Sequence, residues 1–175
     1  MSIHRLVGVV GSRSLPLRFA PLVSSVVSLL LSHGFGVASG GAVGADSFAL
    51  SAVLRQGACP RGIVYSAWSS VSGFPSSARP DVERFIAAGG QVVWGSASVG
   101  SPRPVAVSAL LGRNRRLVSA SSVVVAFLHG PSRGSLYTVR QAVSRGVPVI
   151  VFLCGGASLP PDLARHCYVF HKEVI

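Results

Sequence analysis

Six short, β-branched apolar runs recur along the chain with longer helical patterns between most of them, and this alternation restricts the fold more than any other feature. The runs are Leu6–Val10, Gly36–Ala38, Gly62–Tyr65, Gln91–Trp94, Val123–Phe127 and Val147–Leu153, and most are apolar throughout rather than at alternate positions. A strand without a polar face is buried on both sides, which is the condition of a parallel sheet covered by helices. Helical patterns at 18–32, 44–56, 80–88, 105–119 and 136–145 fill the intervals, each ended by glycine or a loop. The expected class is α/β: one doubly wound, mainly parallel sheet with helices on both faces. With 175 residues, 49% of them hydrophobic, the chain is long enough for one such core and too short for two.

In such sheets ligands bind beyond the carboxyl ends of the strands, so the segments that follow the strands carry the chemistry. The second strand leads into Ser39-Gly40-Gly41-Ala42-Val43-Gly44-Ala45-Asp46, a glycine-rich turn that opens a helix. Glycine lets a ligand approach the backbone, and the unpaired N–H groups of a first helical turn suit phosphate. The first strand leads into Gly11-Ser12-Arg13, with a tight turn, a hydroxyl and a guanidinium. The fifth leads into Arg133-Gly134-Ser135 and Thr138, where another helix begins. Each segment alone is also an ordinary turn or a capped helix; together they predict a two-sided phosphate cradle. The Ser- and Gly-rich loop from Ser66 to Ser77 is a candidate mobile flap.

Charge points to the partner. The chain carries 16 Lys+Arg against 5 Asp+Glu, a formal +11, and Lys172 is the only lysine. A preference for Arg over Lys follows from a GC-rich genome as readily as from function, but it does not remove acidic residues. A polyanion is the natural partner of such a field. Gly112-Arg113-Asn114-Arg115-Arg116 sets four hydrogen-bonding side chains in a row with no acidic residue near in sequence. Helical spacing places Arg113 and Arg116 on one face and Arg115 off it, and the expected role is phosphate contact.

Other chemistries find less support. Cys59, Cys154 and Cys167 form no CxxC pair, which fits a reducing cytoplasm. Cys154, His166, Cys167 and His171 cluster near the C-terminus but match no common zinc spacing, so no metal is expected. Asp81 and Glu83 fall in a first helical turn, where the helix dipole favours acids, and no catalytic carboxylate pair exists. His4, His33, His129, His166 and His171 are scattered; His129, after the fifth strand, is the one that could face a crevice. Leu22–Leu31 is interrupted by serines and is about half the ~20 residues a membrane span needs. No targeting segment opens the chain, and no membrane partner is expected.

The ordered motifs GSR, SGGAVGAD, GRNRRLVSASS and RGSLYTVRQAVSRGVPVIVF resemble the Rossmann-like domain of the DNA-processing protein A family (DprA, or Smf), within the wider SLOG and lysine-decarboxylase-like superfamily. There the corresponding stretches read roughly GSR, SGxAxGID, RNRxIxxxS and SGSLxTAxxAxxxGxxV. The resemblance spans about residues 6–153, leaving 154–175 as a C-terminal extension of one domain. It implies a cytoplasmic single-stranded DNA binder able to hand its strand to a recombinase; no cofactor is expected.

The family's phosphate or nucleic-acid contacts would then fall on Arg13, Ser39, Gly40, Gly41, Arg113, Asn114, Arg115, Gly134 and Ser135, and the reading of the turns and the arginine run adds Gly11, Ser12, Ala42, Arg116, Arg133 and Thr138. Asp46 would cap its helix or orient an arginine such as Arg13, since a bare carboxylate repels phosphate. Tyr137 or Trp68 could stack on bases. The sequence departs from the family at Arg133, where a serine is usual, and at Trp94-Gly95, where Ser-Glu is common. It also lacks an appended winged-helix or N-terminal helical domain, so a stand-alone binding core is expected.

Two further readings stay open: a SLOG-type sensor of a small nucleotide, and a phosphoribohydrolase-like enzyme. The second requires a glutamate of a PGGxGTxxE motif, and Arg140 and Gln141 stand in that neighbourhood instead. Relatives commonly pair, so a homodimer is the expected assembly.

Overall fold

The computed structural model describes residues 5–173; His4 lies outside them. Seven strands form one sheet: β1 (Leu6–Gly11), β2 (Gly36–Ser39), β3 (Gly62–Tyr65), β4 (Gln91–Val93), β5 (Ser121–Leu128), β6 (Val149–Cys154) and β7 (Tyr168–Lys172). Their order is β4-β3-β2-β1-β5-β6-β7 and every pairing is parallel. Six α-helices connect them: α1 (Ala20–Ser32), α2 (Ala45–Arg55), α3 (Arg79–Ala87), α4 (Arg103–Ala120), α5 (Arg133–Ser144) and the short α6 (Pro161–Ala164).

Alternate strand residues feed two cores, one on each face of the sheet. On one face Val7, Val9, Val37, Val64, Val125 and Phe127 pack against Val23 and Val27 of α1, Ala49 and Val53 of α2, and Val82 and Phe85 of α3. On the other, Ala38, Val124, Ala126, Val149 and Val151 meet Leu117 and Val118 of α4 and Val139 and Ala142 of α5. Burial on both faces explains why the central strands are apolar at nearly every position.

The chain steps outward from β1 to β4, then α4 carries it back across the sheet to β5 on the other side of β1. The order reverses at that point, so the turns after β1 and β5 diverge and leave a crevice between them. β7 joins the sheet from the segment expected to be a C-terminal extension. The Ser66–Ser77 loop, expected as a candidate flap, is anchored: it holds a 3-10 turn at Val71–Gly73 and buries Phe74, and the Arg79 guanidinium donates to the Ser72 carbonyl at 3.0 Å. Among the described residues no helix is long and apolar enough to cross a membrane.

Candidate functional site

The crevice at the β1/β5 switch point has a volume of about 610 Å³. Of the residues expected from sequence, Gly11, Arg13, Ala42, Asp46, Arg113, Asn114, Arg133, Gly134, Ser135 and Thr138 line it. They come from four separate segments: the β1 turn, the β2–α2 turn, α4 and the first turns of α5.

One wall is fixed by an ion pair. The Arg113 Nη1 donates to Asp46 Oδ2 at 3.3 Å, and both side chains are almost fully buried. The same carboxylate accepts the Ala42 N–H at 3.4 Å, which pins the glycine turn to the head of α2. Gly40 is required here, because a Cβ would lie 1.2 Å from Arg113 Nη1. Gly44 is required for a second reason: its φ is +77° and a Cβ would sit 2.3 Å from the Ser12 carbonyl oxygen. Burial pushes the Asp46 carboxyl above its ordinary value, against the pull of the Arg113 charge, and the same burial draws the Arg113 guanidinium down. Asp46 therefore orients Arg113 rather than Arg13, which stands exposed at the rim.

The opposite wall is the start of α5. Its first turn is N-capped at Ser132, whose hydroxyl donates to Ser135 Oγ at 2.7 Å. A Cβ placed on Gly134 meets nothing within 4 Å, so the helix N-terminus faces open space where an anion is favoured. Thr138 spends its hydroxyl hydrogen on the Gly134 carbonyl at 3.0 Å and can offer a ligand only its oxygen.

Six expected site residues lie elsewhere. Ser12 is fully buried, and its Oγ accepts the His129 N–H at 2.8 Å, fastening β1 to β5. Ser39 donates to the Asp46 carbonyl at 3.3 Å and braces the turn. Gly40 sits beneath Arg113, and Gly41 packs against Phe74 rather than the crevice. Arg115 and Arg116 line a separate groove on the other side of α4. Arg113 and Arg116, expected to share a face, reach in opposite directions: Arg116 donates to the carbonyls of Trp94 and Ser66 at 2.9 and 2.7 Å.

Trp68, expected as a stacking surface, is packed beneath Gly73. His129 leans on Phe19 and does not line the crevice. Tyr137, the other expected stacking residue, does line it, as do Ser14, Pro131 and Ser132, for which adjacency to the GSR and RGS motifs was the sequence signal. Among the described residues no three His, Cys, Asp or Glu stand close enough to hold a metal ion.

Fold and site together define a Rossmann-like α/β domain with a crevice of about 610 Å³ at its topological switch point. The chain belongs to the DNA recombination-mediator protein A family, whose model matches residues 1–166. The fold is similar to DNA processing protein A of Helicobacter pylori, described for its single-stranded DNA binding mode, with a TM-score of 0.69, 22% identity and 85% of this chain covered. It is also similar to DNA processing protein A of Streptococcus pneumoniae, with a TM-score of 0.66, 23% identity and 92% covered. The chain spans 65% and 53% of the lengths of these two relatives. A molybdenum cofactor binding protein from Rippkaea orientalis shares the fold at a TM-score of 0.64 and 16% identity, with 97% of this chain and 90% of that one covered. Among curated proteins no sequence matches.

Proposed function

We propose that the chain binds the phosphates of single-stranded DNA, with the β1/β5 crevice as its anchoring site. One observation carries this reading: among the described residues Asp46 is the only carboxylate lining the crevice and its ion pair is with Arg113, so Arg13 and Arg133, which form no ion pair there, are left to face an incoming anion. A bare carboxylate would repel phosphate; a neutralised one holds the wall in place. The single-stranded DNA binding described for the Helicobacter pylori relative supports the choice of ligand, as does the +11 charge. Hand-off to a recombinase by a cytoplasmic homodimer is the family role we assign with it.

A second reading, a small nucleotide as the resident ligand, has its own support in the crevice volume of about 610 Å³, which lies in the range of small-molecule sites. Fluorescence anisotropy of labelled oligo(dT) at two salt concentrations, with a nucleoside monophosphate as competitor, separates the two. Binding that weakens steeply with salt and resists the monophosphate supports a DNA anchor. No binding to oligo(dT), with saturable binding of the monophosphate, transfers the site to the nucleotide reading.

A further inference from the structure

A second depression, with a volume of about 1250 Å³, runs along the far side of α4 from Pro104 to Ala120. Its floor is the outer part of the sheet, where Tyr65 ends β3 and Trp94 follows β4. α4 lies along one side of this floor, and the groove stays open above it. Trp94 is 39% exposed, although its ring is held edge-on against Phe74 and its carbonyl is gripped by Arg116. An indole fixed from behind and open in front is a ready stacking surface.

Arg115 and Arg145 add charge to the groove, and among the described residues no Asp or Glu lines it. Arg115 gives one N–H to the Tyr137 hydroxyl at 3.1 Å, and Arg145 reaches the Ser119 hydroxyl. Tyr137 itself lines the crevice, so the Arg115–Tyr137 bond ties α4 to α5 where the two depressions adjoin.

The charge pattern chooses the occupant. A second copy seated symmetrically on this groove would set Arg115, Arg116 and Arg145 against their own counterparts with no acid between them. A flexible polyanion that carries flat bases satisfies both features: its phosphates meet the arginines and a base covers Trp94. α4 has 18 residues, so the groove extends about 27 Å, longer than one nucleotide.

We propose that the α4 groove is a second binding segment for a single-stranded nucleic acid anchored in the crevice, with a base on Trp94 and phosphates on Arg115 and Arg145. The proposal rests on the DNA reading of the crevice and extends the contact surface beyond it.

The test compares oligo(dT) of roughly 4 and roughly 16 nucleotides, the span of site sizes for single-strand binding surfaces, on the wild type, Trp94→Ala and Arg145→Glu. Melting temperatures confirm that the variants fold. Each variant should lose about tenfold in affinity for the long strand and nothing for the short one, and Arg145→Glu should flatten the salt dependence by about 0.7 in log–log slope. The long strand should also quench a tryptophan signal that Trp94→Ala lacks.

Unchanged long-strand affinity in both variants without quenching would overturn the groove and leave the crevice reading intact. Tryptophan emission that changes with protein concentration alone would assign the groove to a second copy, which also overturns the proposal. Failure of the wild type to bind either strand removes the crevice reading first and this one with it.

Discussion

Arg113 and Asp46, 67 residues apart in the chain, meet as a buried ion pair directly over Gly40. Breaking such a pair leaves an uncompensated buried charge, which costs about 3–5 kcal/mol. Asp46→Asn and Arg113→Ala should each lower stability by about that amount. At about 2–4 °C per kcal/mol for a domain of this size, the melting temperature falls by roughly 6–20 °C. The double variant Asp46→Asn/Arg113→Met should recover much of the loss. Calorimetry or urea unfolding decides it, and a melting temperature unchanged in both single variants would show that the pair does not organise the turn. Loss of DNA binding in Arg113→Ala is then mainly a loss of structure.

Gly134 offers a cleaner probe of the crevice. Its φ is not positive and a Cβ there meets open space, so the helix accepts a side chain. Gly134→Ala should raise stability by about 0.5–1 kcal/mol, because alanine loses less backbone entropy than glycine. Gly134→Leu should fold as well as the wild type yet fill the anion position and abolish binding of short oligo(dT). Full affinity in a folded Gly134→Leu variant would remove the anion from the α5 N-terminus.

Arg133 stands exposed at the crevice rim and forms no ion pair among the described residues. Arg133→Ala should weaken oligo(dT) binding without changing the melting temperature and reduce the log–log salt slope by about 0.7 for the one phosphate no longer neutralised. Titrations across a salt series give the slope directly, and parallel lines for variant and wild type would exclude a phosphate contact at this residue.

The cysteines give a pH-dependent test of the core. Cys154 is fully buried beside β7, and burial pushes its thiol from 9.0 up to about 11. The folded protein therefore keeps this proton where the unfolded chain has begun to lose it, so stability falls as pH rises from 9 to 11, by at most about 2.7 kcal/mol. Below about pH 8 the thiol contributes essentially no pH dependence, because it stays protonated in both states. Urea midpoints at pH 8 and 10.5 for the wild type and Cys154→Ala isolate this change from that of Cys59, Cys167 and Tyr65, whose values burial also raises, and thiol labelling at pH 8 should be slow at Cys154 until the protein unfolds.

Much of the fold was legible because the buried strands carry no polar face. The expected Gly62–Tyr65 run coincides with β3, and Leu6–Val10 falls one residue short of β1. β7 was missed: Tyr168–Lys172 is an edge strand with four of its five residues exposed, so neither continuous burial nor a clear alternation marks it. α5 begins at Arg133 rather than 136, because the Ser132–Ser135 hydroxyl bond opens the helix on polar residues that periodicity does not register.

At the site, the motifs named the right segments but not the direction of each side chain. Spacing shows that Arg113 and Arg115 diverge; it does not show that Arg113 turns inward to an aspartate of α2. Gly41 makes the same point. A side chain there, at φ +66°, would strike Phe74 and strain the turn, so its loss reports on packing and not on the ligand.

β1 lies at the centre of the sheet, and its Val7 pairs with Val37 on one side and Val123 on the other. During synthesis β1 emerges first, yet its second edge closes only after β5 has been made, 116 residues later by that pairing. At about 5–20 residues per second the nascent chain carries an incompletely paired apolar strand for roughly 6–23 s. The strand order that opens the crevice thus also sets the interval in which the unfinished protein depends on dilution or a chaperone to stay unaggregated.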